Sequence, residues 1–370
     1  MSGARYIMIG GFLGAGKTTA VLQLARHLRD RGRRVGLITN DQGSELVDTA
    51  MLASHGFPVE EIAGGCFCCR FDSLVEAAKK LDAGTRPDFF IAEPVGSCTD
   101  LVATVSYPLR RIYGDSYTIA PLSVVVDPVR AMRVLGLAEG GRFSEKVIYI
   151  YRKQLEEADL IVINKRELLK ADKLAALREA LAAAFPKAEI LDASARHGDG
   201  LECWFDRVLG ATLPGRPAMS VDYAVYGEGE ALLGWLNATV RLSAPAPFDG
   251  NALLQRLADA IRRQVAERGG EIAHLKMTLD PEGGLGDLAV VNVVRNDLVP
   301  ELSQELQETL EAGRVIINVR AEAPPELLRS AVSDAVAGCA RSVAGLAAAL
   351  EHLEFFQPGQ PRPTHRIETP

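Results

Sequence analysis

Gly10-Gly11-Phe12-Leu13-Gly14-Ala15-Gly16-Lys17-Thr18-Thr19 contains the pattern G-x-x-x-x-G-K-T from Gly11 to Thr18. The apolar run Tyr6-Ile7-Met8-Ile9 precedes it, and Ala20-Val21-Leu22-Gln23-Leu24-Ala25, with helical spacing, follows. Strand, glycine loop and helix are the setting that a phosphate-binding loop requires. Glycines let backbone N–H groups close around a triphosphate, and the helix N-terminus adds the positive end of its dipole. Gly11, Gly14, Ala15, Gly16, Lys17, Thr18 and Thr19 are therefore the expected nucleotide cradle. Lys17 would reach the β- and γ-phosphates, and the Thr18 hydroxyl would ligate Mg²⁺.

Outward from this loop the chain alternates strand and helix. Strands are expected at Tyr6–Ile9, Val35–Thr39, Phe89–Ala92, Ser123–Val126, Leu160–Ile163 and Glu189–Leu191. Most are unbroken apolar runs, as in a parallel sheet covered on both faces. Helical patterns lie between them, among them Ser144–Glu157 and Leu174–Phe185, and Trp204–Leu209 closes the unit. The fold class expected is α/β: a P-loop parallel sheet with helices on both faces, followed by a smaller ferredoxin-like α+β domain. The boundaries are 1–212 for the nucleotide domain, 213–232 for a Pro/Gly-containing linker, 233–354 for the second domain and 355–370 for a flexible, proline-containing tail. Within the second domain, strands are expected at Trp235–Leu242, Ile272–Leu279, Leu288–Val294 and Val315–Arg320. Helices are expected at Ala252–Glu267, Leu302–Leu310 and Pro324–Leu350.

Composition narrows the class. The chain has 370 residues, 48% hydrophobic and 24% charged, with a formal net charge of −7. Two domains fit that length. The charge creates no field to gather nucleic acid or an anionic membrane. No apolar run reaches transmembrane length, and no leader pattern opens the sequence, so a cytoplasmic location is expected. In a reducing compartment six cysteines point to metal binding or redox chemistry rather than disulfides.

Three of the six fall in Gly64-Gly65-Cys66-Phe67-Cys68-Cys69. Thiolates this close suit a soft or borderline ion, Zn²⁺ or another transition metal such as Co²⁺, and three of them leave a ligand position open. Cys98, in Gly96-Ser97-Cys98-Thr99-Asp100, becomes a nucleotide-dependent ligand if its loop approaches that cluster. Cys203 and Cys339, in apolar helical contexts, read as core.

Two further strand ends carry nucleotide chemistry. In Ala92-Glu93-Pro94-Val95-Gly96, Glu93 is the acidic residue for Mg²⁺, and Gly96 is placed to offer its N–H to the γ-phosphate. Asp127, at another strand end before Pro128, reads as a helix cap. Asn164-Lys165-Arg166-Glu167 follows Leu160–Ile163 and has the layout of a guanine-reading N-K-x-D element, with Glu167 in the Asp position. Ser194-Ala195 has the look of the small loop that contacts the guanine oxygen. GTP is therefore expected in preference to ATP.

In this order and on this framework, the P-loop, C-x-C-C, Glu-x-x-Gly and Asn-Lys-x-acid elements resemble the CobW-type metallochaperones of the G3E, SIMIBI-class P-loop GTPases. The likeness covers about residues 5–210, and Gly65-Cys66-Phe67-Cys68-Cys69 is its most specific part. It implies GTP hydrolysis coupled to delivery of metal, or insertion of a metal cofactor, into a client metalloprotein or apo-enzyme, with a nucleotide-dependent homodimer as a further expectation. Two departures stand out. Asn40-Asp41-Gln42-Gly43-Ser44 replaces the usual Asn-Glu-Phe-Gly-Glu, leaving Asp41, Glu45 or Asp48 to supply an acidic group, with Asp48 the candidate for Mg²⁺ or water positioning. Glu167 stands in place of the guanine-reading Asp. The competing readings are a GTPase chaperone for a corrinoid or other metalloenzyme without free-metal transfer, and a small-molecule phosphotransferase.

Overall fold

In a computed structural model, which describes residues 3–40, 47–114, 116–282 and 287–369, the chain divides into two compact units. The first holds eight strands: β1 (Ala4–Gly10), β2 (Val35–Asn40), β3 (Val59–Ile62), β4 (Phe89–Glu93), β5 (Tyr117–Ile119), β6 (Ser123–Val126), β7 (Leu160–Ile163) and β8 (Glu189–Asp192). They line up as β3-β2-β4-β1-β6-β7-β8, with β5 also beside β1. Every pairing among them is parallel. Six of the eight are the expected strands, extended by one to three residues where they differ. The two that the apolar pattern did not reveal, β3 and β5, are short and only partly buried.

The reason for this arrangement lies in the apolar runs. Ile7, Ile9, Ile91, Val125 and Val162 are fully buried between the sheet and its helices, where Leu24, Ala25, Trp204 and Val208 pack on them. A parallel sheet covered on both faces buries alternate residues on both sides, so each strand must be apolar throughout. A parallel sheet also brings every strand's carboxyl end to one edge, which is where ligands of such folds bind. The loops after β1, β2, β3, β4, β6, β7 and β8 therefore share that edge.

The second unit is an antiparallel sheet with two helices. Its strands are β9 (Leu233–Phe248), β10 (Glu271–Pro281), β11 (Ala289–Val293), β12 (Glu301–Gln304), β13 (Leu310–Glu322) and β14 (Ala347–Phe356), in the order β12-β11-β10-β13-β9-β14. Helices Gly250–Glu267 and Pro325–Ser342 bury Leu254, Leu257, Ile261, Leu328 and Val332 against the inward residues of β9, β10 and β13. The ferredoxin-like β-α-β-β-α-β core is present, but its second half is built from other residues than the helical patterns suggest.

Leu302–Leu310 is not a helix. Leu302 lies in strand β12 opposite Val291, and Leu306 is held by Asn251, whose side chain exchanges two hydrogen bonds of 2.9 Å with the Leu306 backbone. That exchange imitates a strand pair and takes the backbone groups that a helix would use. The expected long helix from Pro324 ends at Ser342. Gly345 then takes a φ of +71°, and Ala347–Phe356 pairs with β9. The alanine-rich stretch is helical by propensity, yet the open edge of β9 offers it a full row of backbone partners, and tertiary pairing wins. Part of the segment expected to be a linker is also regular, forming the helix Tyr223–Leu232.

Among the described residues no helix is long and apolar enough to cross a membrane.

Candidate functional site

Lys17 and Thr18 open the helix Lys17–Arg29, directly after β1. The turn that carries them is built from glycines that no other residue could replace. Gly16 has a φ of +94°, and a Cβ there would stand 2.4 Å from the Asn164 amide nitrogen. Gly11, at φ +134°, would drive a Cβ to 2.2 Å from the Val125 carbonyl oxygen. Left-handed backbone without a side chain is what lets the loop wrap closely.

Glu93, at the end of β4, meets this loop. The Thr18 hydroxyl donates to Glu93 Oε1 at 3.0 Å, and Lys17 Nζ lies 3.9 Å from the same oxygen. All three side chains are buried. A hydroxyl at the start of the P-loop helix and a carboxylate at the end of β4, beside a lysine, form the hard oxygen donor set that Mg²⁺ takes alongside phosphate. Gly96 follows two residues after Pro94, and a Cβ on it would be 2.9 Å from the Leu13 nitrogen, so its backbone lies directly on the P-loop.

The Asn164 and Ser194 loops converge on the same place. Asn164 Nδ2 donates to Ala15 O at 2.9 Å, and its Oδ1 accepts from Ala195 N at 2.9 Å. Lys165 Nζ donates to Gly14 O at 2.7 Å and pairs with Asp127 Oδ2 at 3.0 Å. Gln23 fastens the Ala195 carbonyl to the P-loop helix at 2.9 Å. Asp127 also caps the helix Pro128–Val134, accepting from Val129 N and Arg130 N. Its capping role was legible from Pro128; its ion pair with Lys165 was not. Glu167 lies on the exposed side of a single 3-10 turn, Arg166–Leu168. Arg130, absent from the sequence-based set, donates to the Leu13 carbonyl at 2.5 Å, and its guanidinium lies over Phe12 and Phe143. Asp41, Ser44 and Glu45 lie outside the described residues. Asp48 falls within the helix Val47–Ser54, and its side chain lies outside the described part as well.

The thiols form the second half of the site. Cys66 Sγ lies 2.8 Å from Cys68 Sγ and 3.2 Å from Cys69 Sγ, and Cys68 to Cys69 is 3.7 Å. The three make a set in which every sulfur is within 4.8 Å of the others. Cys98 stands outside that set but hydrogen-bonds to both Cys66 and Cys68. Cys69 N–H and Arg70 N–H both donate to Cys66 O, closing the loop into one turn before the helix Phe71–Thr85. That helix N-terminus favours negative charge on the sulfurs. Hydrogen bonds from its three thiol neighbours pull the Cys66 thiol well below its ordinary range. Contacts within the same group of thiols, together with burial, hold Cys68 well above it, and Cys69 is raised too. A metal ion bound by these sulfurs would displace the protons they carry. Three soft sulfurs this close, with Cys98 beside two of them, fit a transition metal.

What holds the cluster in place was not visible in its motif. Asn40, at the end of β2, donates to Ile62 O at 2.9 Å and Gly65 O at 2.6 Å, and its Oδ1 accepts from Phe67 N at 2.9 Å. The C-terminal segment, expected to be a flexible tail, lies across the other side. Arg362 N–H donates to Cys69 Sγ at 3.2 Å and Thr364 N–H to Cys68 O at 2.8 Å. The His365 ring meets Phe71 edge-on at 5.0 Å, and Arg366 pairs with buried Asp100 at 2.7 Å. Proline-rich composition predicts mobility only where nothing accepts the backbone bonds; here the cysteine loop and Ala103 accept them. Cys203 is exposed, not core as its context suggested, whereas Cys339 is half-buried against the core of the second unit.

A parallel sheet with these loops at its carboxyl edge defines a P-loop nucleotide-binding protein. The model of the CobW/HypB/UreG nucleotide-binding domain matches residues 5–192, and the chain belongs to that family. The zinc chaperone CobW of a Sinorhizobium species is 30% identical over 201 residues, covering 46% of this chain and 53% of that protein. The zinc chaperone YeiR of Escherichia coli K12 is 31% identical over 163 residues, 43% of this chain and 46% of that one. The chain thus spans about half the length of the curated relatives it matches. Among solved structures, HypB from Helicobacter pylori in complex with nickel shares 18% identity at a TM-score of 0.42, over 56% of this chain and 87% of that one. The Zn(II)-bound YjiA GTPase from E. coli shares 17% at 0.37, over 90% and 99%.

Proposed function

We propose that this protein is a cytoplasmic, GTP-hydrolysing metallochaperone that carries a transition metal, zinc in the first instance, and delivers it to a client metalloprotein. The observation that carries this reading is the thiol cluster of buried Cys66 and Cys68 with half-buried Cys69, set on the same sheet edge as the P-loop. The zinc chaperones that the chain resembles support the choice of metal.

In this reading Gly11, Gly14, Ala15, Gly16 and Thr19 cradle the phosphates, and Lys17 neutralises charge developing on the transferred phosphoryl group. Thr18 and Glu93 would hold Mg²⁺, with Asp48 as the further acidic candidate; the ion would supply charge neutralisation between the phosphates. Gly96 N–H reads the γ-phosphate. Asn164, Lys165, Glu167, Ser194 and Ala195 read guanine, Glu167 accepting from the base in the place where a shorter carboxylate usually stands. Metal is the cargo, bound by thiolates once their protons are displaced. Hydrolysis drives delivery only if the GTP and GDP forms differ in affinity for metal or client. A nucleotide-dependent homodimer belongs to the same proposal.

The test is a Zn²⁺ titration of the full chain with a GTP analogue, with GDP and with no nucleotide. Cysteine-dependent binding that changes with nucleotide is the expected result. Binding indifferent to nucleotide would shift the switched object from metal to client protein, and no cysteine-dependent binding would remove the metallochaperone reading.

A further inference from the structure

We infer that Cys98 is the fourth ligand of the metal, so that one ion is held by the C-x-C-C loop and by the very turn that reads the γ-phosphate. This rests on the metal-binding reading above and adds to it a ligand supplied by a different loop.

Three observations carry it. Cys98 is buried, 1% exposed, and its thiol contacts two of the three clustered sulfurs. The three sulfurs by themselves leave a tetrahedral ion one ligand short. In a tetrahedral site with Zn–S bonds of about 2.3 Å, neighbouring sulfurs stand roughly 3.8 Å apart. The observed separations of 2.8, 3.2 and 3.7 Å are at or below that, so an ion would spread the cluster outward on sulfur. Cys98, on the Cys66 and Cys68 side, is the sulfur that such a spread brings toward the fourth corner.

The turn bearing Cys98 is rigid, which gives the ligand its consequence. Cys98 N–H donates to Val95 O at 2.9 Å. Buried Gln154 donates through one amide nitrogen to Gly96 O and Cys98 O, both at 2.9 Å. Gly96 at one end of the turn rests on Leu13 of the P-loop, and the Cys98 sulfur at the other end rests on the thiol cluster. A turn clasped in this way moves as a unit. Whatever the γ-phosphate does to Gly96 is passed to one corner of the metal site, and by reciprocity the metal alters nucleotide affinity by the same factor. Each thiol that enters coordination releases its proton to solvent, so charge balance needs no other reactant.

X-ray absorption on the unmodified full chain loaded with one equivalent of Zn²⁺ and a GTP analogue decides the ligand count. Four sulfur neighbours are expected; three sulfurs and one lighter atom would overturn the inference. Co²⁺ titration supplies a second reading through sulfur-to-metal charge-transfer absorption. With Cys98→Ser that absorption should fall by about a quarter, one thiolate of four being gone, and affinity should drop at least ~10-fold. A Cys98→Ser spectrum and affinity equal to the unmodified protein's would overturn it too. The combined Cys66→Ser, Cys68→Ser and Cys69→Ser protein separates the two levels. If it still binds Co²⁺ as tightly, the metal-binding reading itself fails. If it loses the ion while Cys98→Ser changes nothing, only the fourth ligand is wrong.

Discussion

The P-loop and the thiol loop sit on one sheet edge, yet they take their shape in different ways. The path of the P-loop is set by glycines contiguous in sequence and by the helix that continues it, and Arg130, Lys165 and Asn164 then bind its carbonyls. The thiol loop is held from outside, by Asn40 from β2, by Cys98 from the turn after β4 and by Arg362 and Thr364 from nearly three hundred residues away. A loop suspended from distant groups reports what those groups do.

Removing the P-loop's charge breaks the comparison most severely. Lys17→Ala should reduce nucleotide turnover by at least ~100-fold, since Lys17 is the cation that the P-loop turn itself carries toward the phosphates in the proposed reading, while Lys165 and Arg130 are engaged with P-loop carbonyls. Phosphate release and nucleotide titration check it, and turnover that survives would remove the P-loop assignment. Asn40→Ala strikes the other half. It deletes three hydrogen bonds beneath the cysteines, and Zn²⁺ affinity should fall ~10- to 100-fold, as for other groups that orient metal ligands. Nucleotide affinity should fall much less. Equal losses in both would show that the two loops are not separately supported.

A pH experiment sharpens the comparison at the turn between them. Burial raises the Glu157 carboxyl to about 8 from an ordinary 4.5. Its oxygens accept from Thr99 Oγ1 and Val102 N, just beyond Cys98. Below pH 4.5 the group is protonated folded or unfolded and costs nothing. As pH rises from about 4.5 to about 8, the unfolded chain loses the proton first, and stability declines, by a few kcal/mol in order of magnitude. Glu157→Gln should flatten that decline and be the more stable protein at pH 8 and above. Thermal unfolding of both across the range decides it; parallel curves would refute the assignment. The smallest effect is expected at the tail. Deleting residues 361–370 removes the N–H bond to Cys69, so in metal-free protein Cys69 should alkylate a few-fold faster, read by mass spectrometry of the labelled peptide. An unchanged rate would mean the tail does not cover the sulfur in solution.

Much of the first unit was readable because its signals are local. Unbroken apolar runs gave six of eight strands, and β3 and β5 escaped because Val59–Ile62 and Tyr117–Ile119 are short and half-exposed. In the second unit the spacing of Leu302, Leu306 and Leu310 imitates a helix, but Leu302 pairs with β11, Leu310 with β9, and the Asn251 side chain, fifty-odd residues earlier, takes the Leu306 backbone between them. The same limit applied to the tail and to Asn40, whose roles depend on partners that no local pattern names.

The sequence by itself determined the phosphate cradle, the three neighbouring thiols, the parallel sheet and the family, because each is written in contiguous residues whose chemistry admits few alternatives. The tertiary structure alone decided which groups surround the thiols and which strands complete the second sheet. Those outcomes turn on backbone hydrogen bonds between segments far apart in the chain, and such bonds are made by whichever partner the fold brings within reach.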